Sequence, residues 1–509
     1  MPSCHVVVIG AGIGGLTAGA LLARRGYSVL VLDQALVPGG CASTFKRKGF
    51  TFDVGATQVA GLEPGGIHHR IFQELEIEIP AATPCDPACA VYLPGETEPI
   101  NVWCDPQKWK AERIRQFPGS EPFWELLATL FRASFAFQSR DPVLPPRNLW
   151  DLWQLVSAVR PDTLITLPYT FLTVGDALRG YGLGDNQRLR TFLDLQLKLY
   201  SQVDAEETAL LYAATALSVS QEPQGLFHLQ GSMQVLSDRL VSSLERDGGK
   251  LLMRHTVERI HTTNGKATGV VIRNQKTGAV WTEPADHVVA NVTAQNLVQL
   301  LEAETPEGIP SSQPKTQNRY RRRVDKLPPS SGAFVVYLGV DRSAVPSGCP
   351  PHLQFLYDYD GPIGENNSLF VSVSHPKDGR APEGKATIIA SSFVDTRNWW
   401  QSEDYKQRKQ QYTEEAIARL SQFFHLTPET IVHQEAATPR TFARFTARDR
   451  GIVGGIGQRV STFGPFGFAN RTPVNHLWLV GDSTHPGEGT AGVSYSALTV
   501  VRQIENTKN

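Results

Sequence analysis

Gly10, Gly12 and Gly15, with Gly14 beside the last, stand in the spacing G-x-G-x-x-G directly after the apolar run Val6 to Ile9. In a dinucleotide site the first glycine allows a tight turn and the second lets the backbone approach a pyrophosphate. The third lets a helix pack closely on a strand. The helix expected over Leu16 to Arg25 turns its N-terminal N–H groups towards the phosphates. A second apolar run, Val29 to Leu32, ends at Asp33, 18 residues after Gly15, where a carboxylate can accept from a ribose hydroxyl. An acid there disfavours a 2′-phosphate, so NADP is the least suited ligand. The glycine spacing alone would suit a turn in another α/β unit; strand, glycines, helix, strand and acid in this order point to a dinucleotide.

The other end of the chain carries a second constellation. Leu477 to Val480 reads as a buried strand that delivers Gly481 and Asp482 at its carboxyl end. A glycine-rich turn follows, then a helix expected from about Gly492 and Val493. A carboxylate so placed can bind cofactor hydroxyls, and a helix N-terminus stabilises negative charge. A third piece runs from Gly231 through a helix at Gln234 to Arg246, a strand at Lys250 to Leu252, Val257, and the apolar stretch Ala285 to Val292.

Chemistry at both ends requires elements that bring them together, and the chain is long enough to supply them. It has 509 residues, with 49 Lys+Arg against 50 Asp+Glu, 41% hydrophobic and 19% charged residues. This is globular composition with room for two or more domains. The near-neutral balance argues against nucleic acid, whose phosphates demand a basic footprint. Six cysteines in so long a chain make no disulfide framework, which suits a reducing compartment. No Cys or His cluster has zinc-like spacing, so no metal is expected. No signal peptide is visible at the start. No apolar run is long enough for a spanning helix. The densest, Leu164 to Val174, is interrupted by Pro168 and suits a buried or interfacial segment.

Pro38-Gly39-Gly40, Cys41-Ala42-Ser43, the run GFTFDVGA from Gly49 to Ala56, and GDSTHPGEGTAGVSYS from Gly481 together resemble the two-dinucleotide-binding flavoproteins. That superfamily includes amine oxidases, phytoene desaturases and carotenoid isomerases. Asp33 stands where the family has Glu, and Cys41 where it often has Arg, which points towards the carotenoid branch. The resemblance implies FAD, held by Gly10, Gly12, Gly14, Gly15, Asp33, Gly39, Gly40, Ser43, Gly481, Asp482, Gly492 and Val493. It also implies that the backbone at Val257 reaches the adenine and that the last helix faces the flavin near N1 and O2. The fold implied is α/β. A discontinuous Rossmann-like FAD-binding domain comes from residues 1–75, 221–300 and 441–509. Residues 76–220 and 301–440 form an inserted substrate-binding domain of antiparallel sheet plus helices. Ala90 to Val102, Ala333 to Val340, Ser368 to Ser374 and Ala386 to Val394 are its expected strands. The helical part, about 106–220, could face a membrane.

Within the family, TPRTFARFTARDRGIVGGIGQ from Thr438 and FGPFGFANRTPV look closest to the carotenoid 3,4-desaturases of the cyanobacterial C-3′,4′ type. The activity implied is removal of two hydrogens beside the polyene of a 1′-hydroxylated carotenoid on the way to myxol-type xanthophylls. A hydride would go to flavin N5, and oxygen or a quinone would reoxidise the flavin. Peripheral attachment to the cytoplasmic side of a thylakoid or plasma membrane is implied too. Isomerases of poly-cis-carotenoids share the same motifs, as do ketolases and retinol-saturase-like reductases. A non-enzymatic lipid binder of the GDP-dissociation-inhibitor type shares the fold without FAD.

Motifs identify the cofactor and leave the catalytic residues unknown. His485 is expected to shape the flavin loop, with proton transfer as the alternative. Arg444, Arg448, Asp449 and Arg450 border either the site or solvent. Arg319 to Arg323 and Lys326 form either a surface loop or a contact with anionic lipid. Trp150 and Trp153, three apart, are expected on one face of a helix, either core or bilayer-facing.

Overall fold

The computed structural model describes residues 4–302, 315–401 and 404–508. Five short strands form one parallel sheet in the order Lys250–Met253, Ser28–Asp33, His5–Ile9, His287–Ala290, Leu477–Leu479. They are apolar runs rather than alternating ones because both faces of the sheet are covered. On one face the helix Ile13–Arg24 is buried from Ile13 through Ala23. It lies against Gln234–Arg246 and the C-terminal helix Gly489–Glu505. The sheet thus draws its strands from three distant stretches of chain, and the two glycine motifs become neighbours.

Both motif helices begin three residues earlier than expected. Gly12 is the N-cap of the first, so Gly14 and Gly15 lie inside its first turn. Glu488 is the N-cap of the last, so Gly492 and Val493 lie inside that one. In each case a glycine run that reads as loop is helical because close packing, not propensity, decides the conformation.

The second sheet has seven strands, in the order Ile431–Ala437, Ser331–Asp341, Lys385–Asp395, Ser368–Val373, His352–Leu356, Cys89–Tyr92, Ile100–Val102. All four expected β-rich runs are in it, but it is not wholly antiparallel: His352–Leu356 pairs parallel with Cys89–Tyr92. That pair joins strands more than 250 residues apart, and no local pattern announces it. Helices between Pro106 and Ser218 cover one side of this unit. A small third sheet pairs Val59–Ala60 and Ala82–Pro84 with Leu226–Leu229, across the expected 75/76 boundary.

The Arg319 to Arg323 cluster is not a loop. It lies on a helix, Lys315–Asp325, where Arg321 pairs with Glu302, while Arg323 stacks on Phe468 and donates to the Gly467 carbonyl. Nor do the two tryptophans share an exposed face. On the helix Leu149–Ala158, Trp150 turns inward to the Arg502 guanidinium, and Trp153 points out. The exposed stripe is Leu149, Leu152, Trp153 and Val156, at helical spacing. Fully buried Asp151 fixes that orientation by accepting from Arg471 Nε, Gln503 Nε2 and the Arg147 N–H. No helix among the described residues is long and apolar enough to cross a membrane, and no disulfide joins the six cysteines.

Candidate functional site

One cavity of about 1240 Å³ runs from the glycine motifs to the face of the seven-stranded sheet. At its dinucleotide end it is lined by Gly10, Gly12, Gly14, Asp33, Gly39, Gly40 and Val257, and farther along by Asp482, Gly492 and Val493. Gly15, Ser43 and Gly481 are not in the lining. Gly15 stands behind the wall, where a Cβ would lie 2.0 Å from the Gly10 carbonyl oxygen. Ser43 donates its hydroxyl to the Gly40 carbonyl and so holds the Pro38 to Gly40 turn. Gly481 takes a φ of +120°, a value only glycine adopts readily, where the strand breaks to release Asp482.

Asp33 is held by two backbone donors, Ala11 and Ala35, each at 2.7 Å. Burial pushes its carboxyl up, and those two N–H groups pull it back. Asn291 was not singled out by its sequence, yet it joins the two motifs. Its N–H donates to the Ile9 carbonyl, and its side-chain amide donates to the Val480 carbonyl at 3.2 Å. Only its position, one residue beyond the strand between the other two, could have marked it.

Beside the flavin loop Arg448 donates to Asp482 at 2.7 Å and to the Ile452 carbonyl, so this arginine of the Arg444–Arg450 group faces the site. His485 is buried against Gln138 at 3.1 Å, and burial drives its imidazole down to about 4. It is neutral at physiological pH, its remaining ring N–H donating to the Gln138 amide oxygen, so it is not a protonated imidazolium acid there. Glu488, inside the glycine-rich run from Gly481 but not singled out there, lines the cavity and accepts from Gln202 at 3.0 Å. Burial, reinforced by Asp482, pushes its carboxyl up to about 8.

Beyond these groups the lining turns apolar: Leu144, Leu155, Val156, Leu211, Phe442 and Ile363 among others. Its floor is the sheet, where Gln354, Phe370, Ser391 and Val335 are successive cross-strand neighbours. Exposed Val156 and Leu167, also in the lining, bring the cavity to the surface at the apolar helix. No group of His, Cys, Asp and Glu among the described residues could hold a metal ion.

Residues 13–504 match the family model described as flavin containing amine oxidoreductase. The chain belongs to that family. Its relatives include prolycopene isomerase 1 of an Oncidium hybrid cultivar, 28% identical over 98% of this chain and 83% of that one. A neurosporene-forming phytoene desaturase of Rhodobacter capsulatus is 26% identical over 98% and 94%. Cyclohexylamine oxidase from Brevibacterium oxydans shares the fold at a TM-score of 0.62 and 18% identity, with 99% and 100% covered. The protein is an FAD-dependent oxidoreductase. The glycine-lined groove fits FAD: added side chains would fill it, since a Cβ on Gly12 would lie 2.9 Å from Asn291 Oδ1 and one on Gly40 3.4 Å from the Gly12 Cα.

Asp482 is the one carboxylate at the end of the last parallel strand. Asp482→Ala removes a charged acceptor, and charged hydrogen bonds are worth about 1.5–3 kcal/mol. The expected result is FAD held about ten- to a hundredfold more weakly, read as flavin absorbance per protein after gel filtration. Full retention would remove Asp482 from the set that holds the cofactor.

Proposed function

We propose that the protein is a carotenoid C-3′,4′ desaturase acting on a 1′-hydroxylated carotenoid, monocyclic or acyclic, in the formation of myxol-type xanthophylls. The observation that supports it is the continuity of one long cavity, polar where the glycine motifs line it and apolar beyond. A polyene fills such a space without unpaired polar groups, and its end can lie against Ser368 and Ser391 of the sheet floor. Those two hydroxyls suit a substrate hydroxyl, because a buried polar group without a partner is costly. Bound FAD supplies a hydride acceptor at N5. The chain's own part is to orient the polyene, exclude water and provide for the proton. Gly10, Gly12, Gly14, Asp33, Gly39, Gly40, Val257, Asp482, Gly492 and Val493 would hold the cofactor, with Gly15, Ser43 and Gly481 shaping its loops.

Membrane delivery of the substrate suits the exposed stripe of Leu149, Leu152, Trp153 and Val156. Exposed Leu164, Ile165, Leu167 and Phe171 follow it in the chain. Such a face rests at the boundary of a bilayer. We place the protein peripherally on the cytoplasmic side of a thylakoid or plasma membrane, with oxygen or a membrane quinone as electron acceptor. A second reading, isomerisation of a poly-cis-carotenoid with reduced FAD, is favoured by the resemblance to prolycopene isomerases along 98% of the chain.

The test is a single turnover of FAD-loaded protein with a 1′-hydroxylated monocyclic carotene in liposomes. The expected product is lighter by two hydrogens and absorbs at longer wavelength, and the flavin is bleached. An unchanged mass with a geometric spectral shift would replace desaturation by isomerisation.

A further inference from the structure

Glu488 is the N-cap of the C-terminal helix, but its side chain does not cap that helix. It turns into the cavity instead, where its Oε2 accepts from Gln202 Nε2 at 3.0 Å. Gln202 is arranged for this contact. It ends the helix Gln187–Ser201 at a φ of +66°, a region a residue with a side chain seldom enters. Lys198 Nζ donates to its carbonyl at 3.0 Å and holds it there. Gly454 leaves room for the pair, since a Cβ on it would lie 2.4 Å from Glu488 Oε2 and 2.6 Å from Gln202 Nε2. Strained backbone around a buried polar pair is a mark of functional positions.

The groups that face Glu488 come from both parts of the site. Asp482 on the flavin loop and Arg448 after the helix Pro439–Thr446 lie on the dinucleotide side. Gln202, Lys198 and Tyr212 belong to the helical layer over the substrate end. Glu488 therefore sits at the seam where a substrate carbon and the reacting face of a cofactor would meet. His485, a further titratable group of that loop, is neutral and tied to Gln138.

We propose that Glu488 is the proton-exchanging carboxyl of this site, positioned by Gln202, and takes the proton released when the substrate gives up a hydride. The step rests on the desaturase reading above. One C–H bond breaks and its electron pair leaves with hydrogen as hydride to oxidised FAD. The neighbouring C–H bond breaks, its electrons form the new C=C bond, and the proton passes to the Glu488 carboxylate. The acid form then returns the proton to water. Lys198 and Arg448 favour the carboxylate, while burial and Asp482 oppose it, so the group exchanges its proton near neutrality instead of remaining ionised.

The test compares wild-type holoenzyme with E488Q, which keeps the shape and removes the exchangeable proton, and with Q202L. In single turnover with the hydroxylated carotene, the wild-type rate of flavin bleaching should rise about tenfold per pH unit below pH 8 and level off above it, following the carboxylate fraction. E488Q should be slower by about a hundredfold or more and independent of pH. Q202L should move the midpoint of the profile while retaining its shape. A readout without turnover is the absorption of bound, resting FAD titrated from about pH 6 to 10. A spectral midpoint near pH 8 is expected in wild type and absent in E488Q. If that midpoint behaves as expected but no carotene is turned over, Glu488 stands and the substrate reading falls. A wild-type spectrum without the midpoint, a midpoint that persists in E488Q, or an E488Q rate and profile equal to wild type overturns the assignment.

Discussion

Arg380→Met should destabilise the protein by about 3–5 kcal/mol, the usual loss when one member of a buried ion pair is removed. Arg380 is 2% exposed and sits among groups that are themselves buried. Its Nε donates to Asp53 at 3.1 Å, and its Nη1 donates to the Leu229 carbonyl at 2.7 Å. Nη1 also lies 3.3 Å from Asp378 and 2.9 Å from His228 Nε2. Asp53, from the DVG run near the N-terminus, accepts from the Met233 N–H as well, so one guanidinium joins three distant segments. Burial pushes the Asp53 carboxyl up, with Arg380 opposing. Burial also works against the charge on Asp378, but His228 and Arg380 hold that carboxyl below its ordinary range. Methionine fills most of the space and supplies none of the charge, which leaves two buried carboxylates without the guanidinium that paired with both. Denaturant unfolding measures the loss. A change below about 1 kcal/mol would mean that water reaches the cluster and replaces the guanidinium. Adding Asp53→Asn and Asp378→Asn to Arg380→Met should recover part of the stability, since the uncompensated charge is then gone.

Gly15→Ala should abolish stable FAD binding and cost about 3 kcal/mol or more of stability, at the upper end of overpacking effects. The new Cβ would stand 2.0 Å from the Gly10 carbonyl oxygen and 3.1 Å from Asn291. The first neighbour is backbone and cannot rotate away, so helix and strand must separate. That movement displaces Gly10 and Gly12, which line the cavity, and breaks the turn at Gly10, whose φ is +96°. Gly180→Ala is the matching control. It is the last residue of the helix Val174–Gly180, where nothing lies within 4 Å of an added Cβ and its φ is not positive. Flavin content and unfolding midpoint should be unchanged there. Equal flavin content in Gly15→Ala and Gly180→Ala would refute the close-packing role of Gly15.

The glycine-lined end of the cavity was legible because its geometry is local. Gly10, Gly12, Gly15 and Asp33 are placed by a turn, a helix N-terminus and a strand end, all within a few dozen residues. The same holds for Gly481, Asp482, Gly492 and Val493. Buried parallel strands are short apolar runs, so His5–Ile9, Ser28–Asp33 and Leu477–Leu479 are easily placed. Element starts were less legible, as at Ile13 and Gly489, because glycines that look like loop become helical under packing.

What escaped was whatever depends on distant partners. Asn291 and Gln202 carry no motif, and Glu488 lies within the glycine-rich run without a role that its type announces; each matters because a residue from elsewhere stands within hydrogen-bond reach. Arg380 meets Asp53 across 327 positions of chain. The parallel pairing of Cys89–Tyr92 with His352–Leu356 has the same origin, as does the inward turn of Trp150. The sequence by itself determined a dinucleotide-binding unit, because turn geometry, helix ends and apolar runs are properties of neighbouring residues, and the resemblance its motifs carry implied FAD. Only the tertiary structure decided that Glu488 meets Gln202 inside the cavity and that Arg380 joins the segments of Asp53, Leu229 and Asp378. Desolvation and charge pairing are set by what surrounds a group in space, and chain order does not specify that.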